Sequence, residues 1–366
     1  MKIALLGAGH IGHTISHLLV NSGDYQLTVI DQSPTSLEKL KHLKVKTAVV
    51  DTDKSTSLTD VLNGHDAVIN ALPYHLAIKV ATAAKEAGCH YFDLTEDVAA
   101  TKFIMELAQG AKTAFMPQCG LAPGFIGIVA HHLAQQFESL DEIKMRVGAL
   151  PAFPTNSLKY NLTWSVDGLV NEYCHPCEAI HEGALTSMLP LEGLEHFSLD
   201  GVEYEAFNTS GGLGTLCETL KGRVRNLDYK TVRYPGHRDL MQFLLSDLRM
   251  AADQEALKNI LRKSVPTTMQ DVVHVFVTVS GIRNGSFVQE VFARKIFAQR
   301  ASSGDSLLSA IQITTAAGIC AAVDLFREGK LPTAGFIRQE EVKLPDFLSN
   351  RFGAAYEQSR RIESIS

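Results

Sequence analysis

The apolar positions of this chain change their period part-way along it. From Ile3 to Leu6 they run unbroken, as in a strand buried on both faces, and after a glycine-rich turn Ile11, Ile15, Leu18 and Leu19 recur at helical spacing. The rhythm continues through QLTVID (26–31), a short helix over Thr35–Leu43, VKTAVVD (45–51) and DAVINALP (66–73). A helix follows with Ala77, Val80, Ala81 and Ala84 facing inward, then HYFDLT (90–95) and TAFMPQCG (113–120). Strands alternating with helices in this way predict an α/β domain with a doubly wound parallel sheet over residues 1–121.

Beyond it, Pro123 and Gly124 open a helix that leaves this domain, and period two takes over. From Glu142 to Phe207 runs such as EIKMRVGAL and LKYNLTWSV alternate between turn residues, predicting a second, mainly antiparallel α+β domain over 122–304. DLMQFLLSDL (239–248) returns to helical spacing, and VVHVFVTVSGI (272–282) reads as a strand turned by Arg283-Asn284-Gly285-Ser286 onto FVQEVFARKIF. SLLSAIQITTAAGICAAVDLF is a long helix of small residues, expected to bring residues 305–366 back to the first domain, with a polar tail fraying after Phe352.

Composition narrows the function. At 366 residues two domains are expected, and 34 basic against 40 acidic residues leave a charge of −6 with no basic cluster, which excludes a nucleic-acid surface. No apolar run approaches the ~18 residues of a membrane span and the chain starts directly as a strand, so a cytoplasmic protein with no membrane partner is expected. Six cysteines in a chain of this size do not make a disulfide scaffold. Cys174 and Cys177, in CHPC, have no second CxxC or His-x-His partner and read as ordinary thiols rather than as half of a metal site; no metal is expected.

The chemistry starts in the first turn, KIALLGAGHIG. Gly7 makes the tight turn, Gly9 lets backbone approach a pyrophosphate, and Gly12 lets helix and strand pack closely, so Gly7, Gly9, His10, Ile11 and Gly12 would face a dinucleotide at the positive end of the helix. A second strand ends in Asp31 at the spacing where a carboxylate takes both hydroxyls of a ribose. With Gln32 and Ser33 supplying no cation for a 2′-phosphate, NAD is the expected cofactor on a Rossmann-type sheet. Asp51 reads equally as a contact to the adenine edge or as a capping acid. Leu72 and Pro73, and Cys119 and Gly120, end strands at the carboxyl edge where ligands of open α/β sheets bind.

GLAPGF (120–125), SVDGLVNEY (165–173), EAFNTSGGLGTL (205–216), ETLKGRVRNL (218–227) and KTVRYPGH (230–237) resemble the saccharopine dehydrogenase-like proteins, and among them the L-lysine 6-dehydrogenases. Saccharopine reductases of that family carry an Asp where this chain has Ala122. The resemblance implies an NAD domain, a β-rich insert holding an amino-acid substrate, a homodimer, and oxidation of the 6-amine of lysine to allysine, which cyclises to piperideine-6-carboxylate. It leaves open a relative acting on a secondary amine such as saccharopine or carboxynorspermidine, or an NAD sensor without chemistry.

Such a reaction needs a carboxylate clamp, a base and partners for amines. Arg233, whose planar fork suits a carboxylate, and His237, beyond a Pro-Gly turn, are the expected clamp, with Arg223 and Arg225 in reserve. His75 and Lys79, a helical turn apart past the fourth strand, are the expected proton-transfer pair, oriented by Asp93. Asp167, Glu172 and Thr209 are candidates for the substrate's amines, and Cys119, without an activating neighbour, lines the pocket.

Overall fold

The computed structural model describes residues 1–54, 57–300 and 307–357. The chain divides into two compact units, residues 1–128 with 312–355, and residues 129–311 with the chain end. The expected divisions at 121/122 and 304/305 fall a short way before the observed ones.

The first unit is built from β1 (Lys2–Leu6), α1 (His10–Ser22), β2 (Gln26–Asp31), α2 (Pro34–Glu38), β3 (Lys46–Val49), α3 (Leu58–Leu62), β4 (Ala67–Asn70), α4 (Ala77–Ala87), β5 (His90–Asp93), α5 (Val98–Leu107) and β6 (Ala114–Met116). Every pairing is parallel, in the order β3-β2-β1-β4-β5-β6, and Gly335–Phe336 adds a short last strand beside β6. β1 sits at the centre between β2 and β4 with Ile3 to Leu6 wholly buried, which is why its apolar run is unbroken. The inward residues of α4 are those its spacing marks: Ala77, Val80, Ala81 and Ala84 pack with Val68, Tyr91 and Phe115. α2 is shorter than expected because after Glu38 the hydrogen bonds tighten to i→i+3, as from Leu40 N to Leu37 O and from Lys41 N to Glu38 O.

α6 (Phe125–Ala134) leads into β7 (Ser139–Pro151), α7 (Val166–Cys174), β8 (Cys177–His181), β9 (Ala184–Met188), β10 (Glu195–Leu199), β11 (Val202–Asn208), α8 (Leu216–Leu220), β12 (Val224–Arg233), α9 (His237–Gln242), α10 (Gln254–Ser264), β13 (Asp271–Arg283) and β14 (Ser286–Phe297). The second sheet runs β10-β11-β12-β7-β13-β14, antiparallel except for β12 beside β7, and β8 joins β12 to β9. The β13–β14 hairpin turns on Asn284 and Gly285, both at positive φ, as its Asn-Gly dictates.

Two stretches depart from the expected strands. SVDGLVNEY is helix α7, started by Ser165, whose side chain accepts from Gly168 N. LKYNLTWSV forms no strand: its alternation is real in that Tyr160, Leu162 and Trp164 all pack against the cluster under α7 and α10, but the backbone finds a single bridge, Leu162 to Thr267.

α11 (Ala310–Arg327) is the long small-residue helix. It is long and apolar enough to cross a membrane by length and composition, a length the sequence reading did not credit to any run, yet 89% of it is buried inside the protein. Asp271 starts it by accepting from Ala310 N and Ile311 N, and residues Gln312–Ala355 belong to the first unit. There Asp324 is a buried node: it accepts from Tyr25 Oη at 2.5 Å, Arg327 at 3.0 Å, Asn350 at 2.9 Å and Arg351 at 2.8 Å, while Arg351 also pairs with Asp24. Burial works against its charge, but the donors from Arg351, Tyr25, Asn350 and Arg327 outweigh it and hold the carboxyl at about 2. The chain settles into a 3₁₀ turn at Gly353–Tyr356, and the rest of the expected frayed tail, residues 358–366, lies outside the described residues.

Candidate active site

In the first unit the glycine turn has the geometry its spacing implies. Gly7 stands at φ +104°, donates to Ile30 O, and a Cβ there would lie 2.8 Å from Ala71 O. At Gly12 a Cβ would lie 1.9 Å from Gly7 O, so only glycine permits this approach of α1 to β1. At Gly9 a Cβ would meet nothing within 4 Å. The first turn of α1, with His10 exposed and Ile11 half-buried, has no side-chain cap and no acidic residue, which leaves its N–H groups for an anion. Asp31 accepts from Ala8 N with Oδ2 and from Ser33 N with Oδ1, both at 2.7 Å. One lone pair on each oxygen remains, which suits the two hydroxyls of a ribose. These residues fit a nicotinamide dinucleotide.

Asp51 closes its own turn, accepting from the backbone of Asp53 and Lys54 and pairing with the Lys54 ammonium; these contacts hold its carboxyl below the ordinary range. At the carboxyl edge, Leu72 packs beside Gly7 and donates from its N–H to Asn70 Oδ1, and Pro73 starts the 3₁₀ turn Tyr74–Leu76. His75 is exposed on that turn with its ring edge-on to Tyr74. The Lys79 ammonium donates to Asp53 O at 2.6 Å.

Asp93 does not orient His75 or Lys79. It is sealed inside the sheet edge, where Oδ1 accepts from Thr95 N and Gln118 N and Oδ2 accepts from Tyr91 Oη. Burial pushes its carboxyl up to about 6 against the pull of those three donors. Cys119 donates from its N–H to Asp93 O and is buried under Gln339, whose Nε2 lies 3.2 Å from Sγ; burial and the nearby Asp93 push the thiol far up, so it is inert. Gly120 O accepts from Phe125 N, and a Cβ at Gly124, at φ +132°, would lie 2.2 Å from that oxygen, so the GLAPG loop needs its second glycine.

The second unit brings Arg233 and His237 together through a residue that sequence reasoning missed. Arg233 ends β12, 2% exposed, with its guanidinium 5.3 Å from the Tyr160 ring centre and 5.9 Å from that of Tyr173. Its Nε–H donates to Tyr173 Oη at 3.0 Å and Nη1 donates to Val232 O; among the described residues Nη2 makes no hydrogen bond. His237 Nδ1 lies 3.0 Å from Leu158 O, which can only accept, so Nδ1 carries the proton. Burial and the Arg233 charge push this imidazole down to about 3, so it is neutral and Nε2, 3.1 Å from Tyr173 Oη, is an acceptor. The Tyr173 hydroxyl therefore accepts from Arg233 and donates to His237. Both ring nitrogens of His237 are committed to the protein.

Arg233 stays charged: burial opposes it, but Tyr173, Tyr160 and Glu172 outweigh burial and hold it above the ordinary range. The loop after Arg233 is anchored by buried Glu205, whose two oxygens accept from Gly236 N and Arg238 N at the start of α9. In the SGGLG turn a Cβ at Gly212 would lie 2.3 Å from the Tyr229 ring. The hydroxyl of Thr209, 2% exposed, has no partner among the described residues. Asp167 stands apart, paired with Arg262 and Lys258 of α10. Arg223 is exposed, and Arg225 pairs with Asp141 and Glu182 at the surface. Cys174 and Cys177 are free thiols, both pushed up by burial, and the described residues hold no group of three or more metal-ligating side chains.

A parallel sheet with an open glycine turn, followed by a mixed-sheet unit with a buried cation, is the build of a nicotinamide-dependent dehydrogenase. Residues 3–116 match the saccharopine dehydrogenase NADP binding domain and residues 120–351 the saccharopine dehydrogenase C-terminal domain. The chain belongs to the saccharopine dehydrogenase family. Among solved structures it is similar to the apo, histidine-tagged saccharopine dehydrogenase (L-Glu forming) from Saccharomyces cerevisiae, with a TM-score of 0.77 and 15% identity over 94% of this chain and 96% of that one. A probable dehydrogenase from Thermotoga maritima matches with a TM-score of 0.47 and 12% identity over 95% and 94% of the two chains. The apo scyllo-inositol dehydrogenase from Lactobacillus casei matches with a TM-score of 0.47 and 13% identity over 97% and 96%.

Proposed function

We propose that this protein is an NAD-dependent dehydrogenase that oxidises the 6-amino group of L-lysine, giving allysine and ammonia. The observation that carries the reading is Arg233: a guanidinium buried in the substrate unit, held through Nε and Nη1 and with Nη2 unused among the described residues, suited to an amino-acid carboxylate. The bound nicotinamide would take up the hydride, and the protein's own residues bind and orient. Asp31 supports NAD over NADP, since its charge opposes a 2′-phosphate. Thr209, buried and with no partner for its hydroxyl among the described residues, is suited to an amine of the substrate.

The family match equally suits a secondary-amine substrate such as saccharopine. Against it, a tricarboxylate needs several cations, and in the second unit Arg146 is consumed by Glu195 and Asp228 while Arg225 is paired at the surface. The test is NADH formation with lysine, saccharopine and cadaverine, with ammonia measured in parallel. Lysine-dependent NADH with equimolar ammonia is expected, with cadaverine poor. Turnover of saccharopine without ammonia would overturn the lysine reading. Arg233→Lys should lower kcat/KM for lysine by roughly ten- to a hundredfold and spare cadaverine.

A further inference from the structure

Arg233, Tyr173, His237 and Leu158 form a chain of hydrogen bonds that runs one way. A guanidinium can only donate and a carbonyl can only accept, so the two ends fix every proton between them. The links are Arg233 Nε–H to Tyr173 Oη at 3.0 Å, Tyr173 O–H to His237 Nε2 at 3.1 Å, and His237 Nδ1–H to Leu158 O at 3.0 Å. All three side chains are at most 2% exposed. With Nε held by Tyr173 and Nη1 tied to Val232 O, the guanidinium can neither spin about its long axis nor offer its Nε edge to a ligand.

We infer that Tyr173 and His237 are positioning residues for Arg233: they fix the plane of its fork and leave the Nη2 end as the part offered to a carboxylate. This rests on the reading of Arg233 as the carboxylate-binding cation. His237, expected from the sequence to touch substrate, acts instead two bonds away. Its neutral ring is what lets the chain close, because a doubly protonated ring would turn a donor towards the Tyr173 proton. Tyr173 in turn gives Arg233 a partner without charge, so this contact does not neutralise the guanidinium.

The test is calorimetric binding to the full chain of L-norleucine, which carries the amino-acid head without the reactive amine, and of hexylamine, which lacks the carboxylate. Tyr173→Phe removes the hydroxyl. His237→Leu removes its acceptor. His237→Gln keeps one acceptor and one donor, and so serves as the rescue. Norleucine should bind about ten- to thirtyfold more weakly to Tyr173→Phe and His237→Leu, and within about threefold of wild type to His237→Gln, with hexylamine and NADH unchanged. Should Tyr173→Phe fail to fold, the two His237 variants carry the test alone. Equal norleucine affinity in wild type and His237→Leu, or equal weakening of norleucine and hexylamine, overturns the positioning role while leaving Arg233 as a clamp. A wild type that binds no norleucine overturns the clamp and the positioning role together.

Discussion

Asp31→Asn tests the cofactor site most sharply, because this carboxylate holds the protein's own backbone as well as a ligand. Each oxygen receives one backbone N–H at 2.7 Å, from Ala8 and from Ser33. An amide keeps one acceptor oxygen, so whichever N–H faces the new NH₂ meets a donor. That costs about 1–2 kcal/mol and should lower the melting temperature of the apo protein by a few degrees. For the ribose, two charge-assisted bonds become at best neutral ones, a loss of about 1–1.5 kcal/mol each. NADH affinity should therefore fall roughly thirty- to a hundredfold. NADPH should gain about 1 kcal/mol as the repulsion of its 2′-phosphate disappears. Fluorescence titration of wild type and variant with both dinucleotides measures the ratio directly, and it should move towards NADPH by more than a hundredfold. A wild type that prefers NADPH, or a variant with an unchanged ratio, would refute the reasoning.

Two further outcomes follow from the buried groups. Asp93, raised to about 6 from its ordinary 3.8, is more easily protonated folded than unfolded, so its contribution to stability is fully present below pH ~4 and is lost as pH rises to about 6. Asp93→Asn can keep the Thr95, Gln118 and Tyr91 contacts without the charge, so relative to wild type it should gain about 2–3 kcal/mol between pH 3.5 and 7 in denaturant titrations, and a constant difference across that range would count against the buried-charge account. Cys174→Ser with Cys177→Ser should leave folding and turnover nearly intact, with less than stoichiometric zinc by metal analysis of the wild type.

The parallel sheet, its glycine turn and the Asn-Gly hairpin were legible because each depends on local steric rules: the 1.9 Å approach at Gly12 admits no other residue. The turn that follows Arg233 was legible from its Pro-Gly pair, while the place of Arg233 at the end of a strand was not. What failed to read depends on distant partners. An acid in the first turn of a helix looks alike whether it faces a ligand or, as Asp167 does, a basic residue 95 positions on. Tyr173 sits in a helical apolar pattern and reads as core, and only the fold brings it within reach of Arg233 and His237, 60 and 64 residues away. Glu205 was hidden in the same way, a carboxylate in a strand whose partners are backbone N–H groups beyond Arg233. LKYNLTWSV shows that alternation records which side chains are buried, and says nothing of whether a neighbouring strand exists to pair with.

The Asp324 node has a consequence for how the protein is made. Tyr25 bonds to a residue 299 positions later and Arg351 reaches Asp24 across 327. During synthesis the nucleotide sheet emerges first, yet α11, the strand Gly335–Phe336 that extends its edge and the arginines that close the node follow the whole of the second sheet. Most of the second unit, from Val129 to Ile311, precedes them. On the ribosome most of the later-made unit can therefore be in place while the earlier one still has its sheet edge at β6 uncovered, so the stretch of synthesis just past Ile311 is the one in which the part made first is exposed.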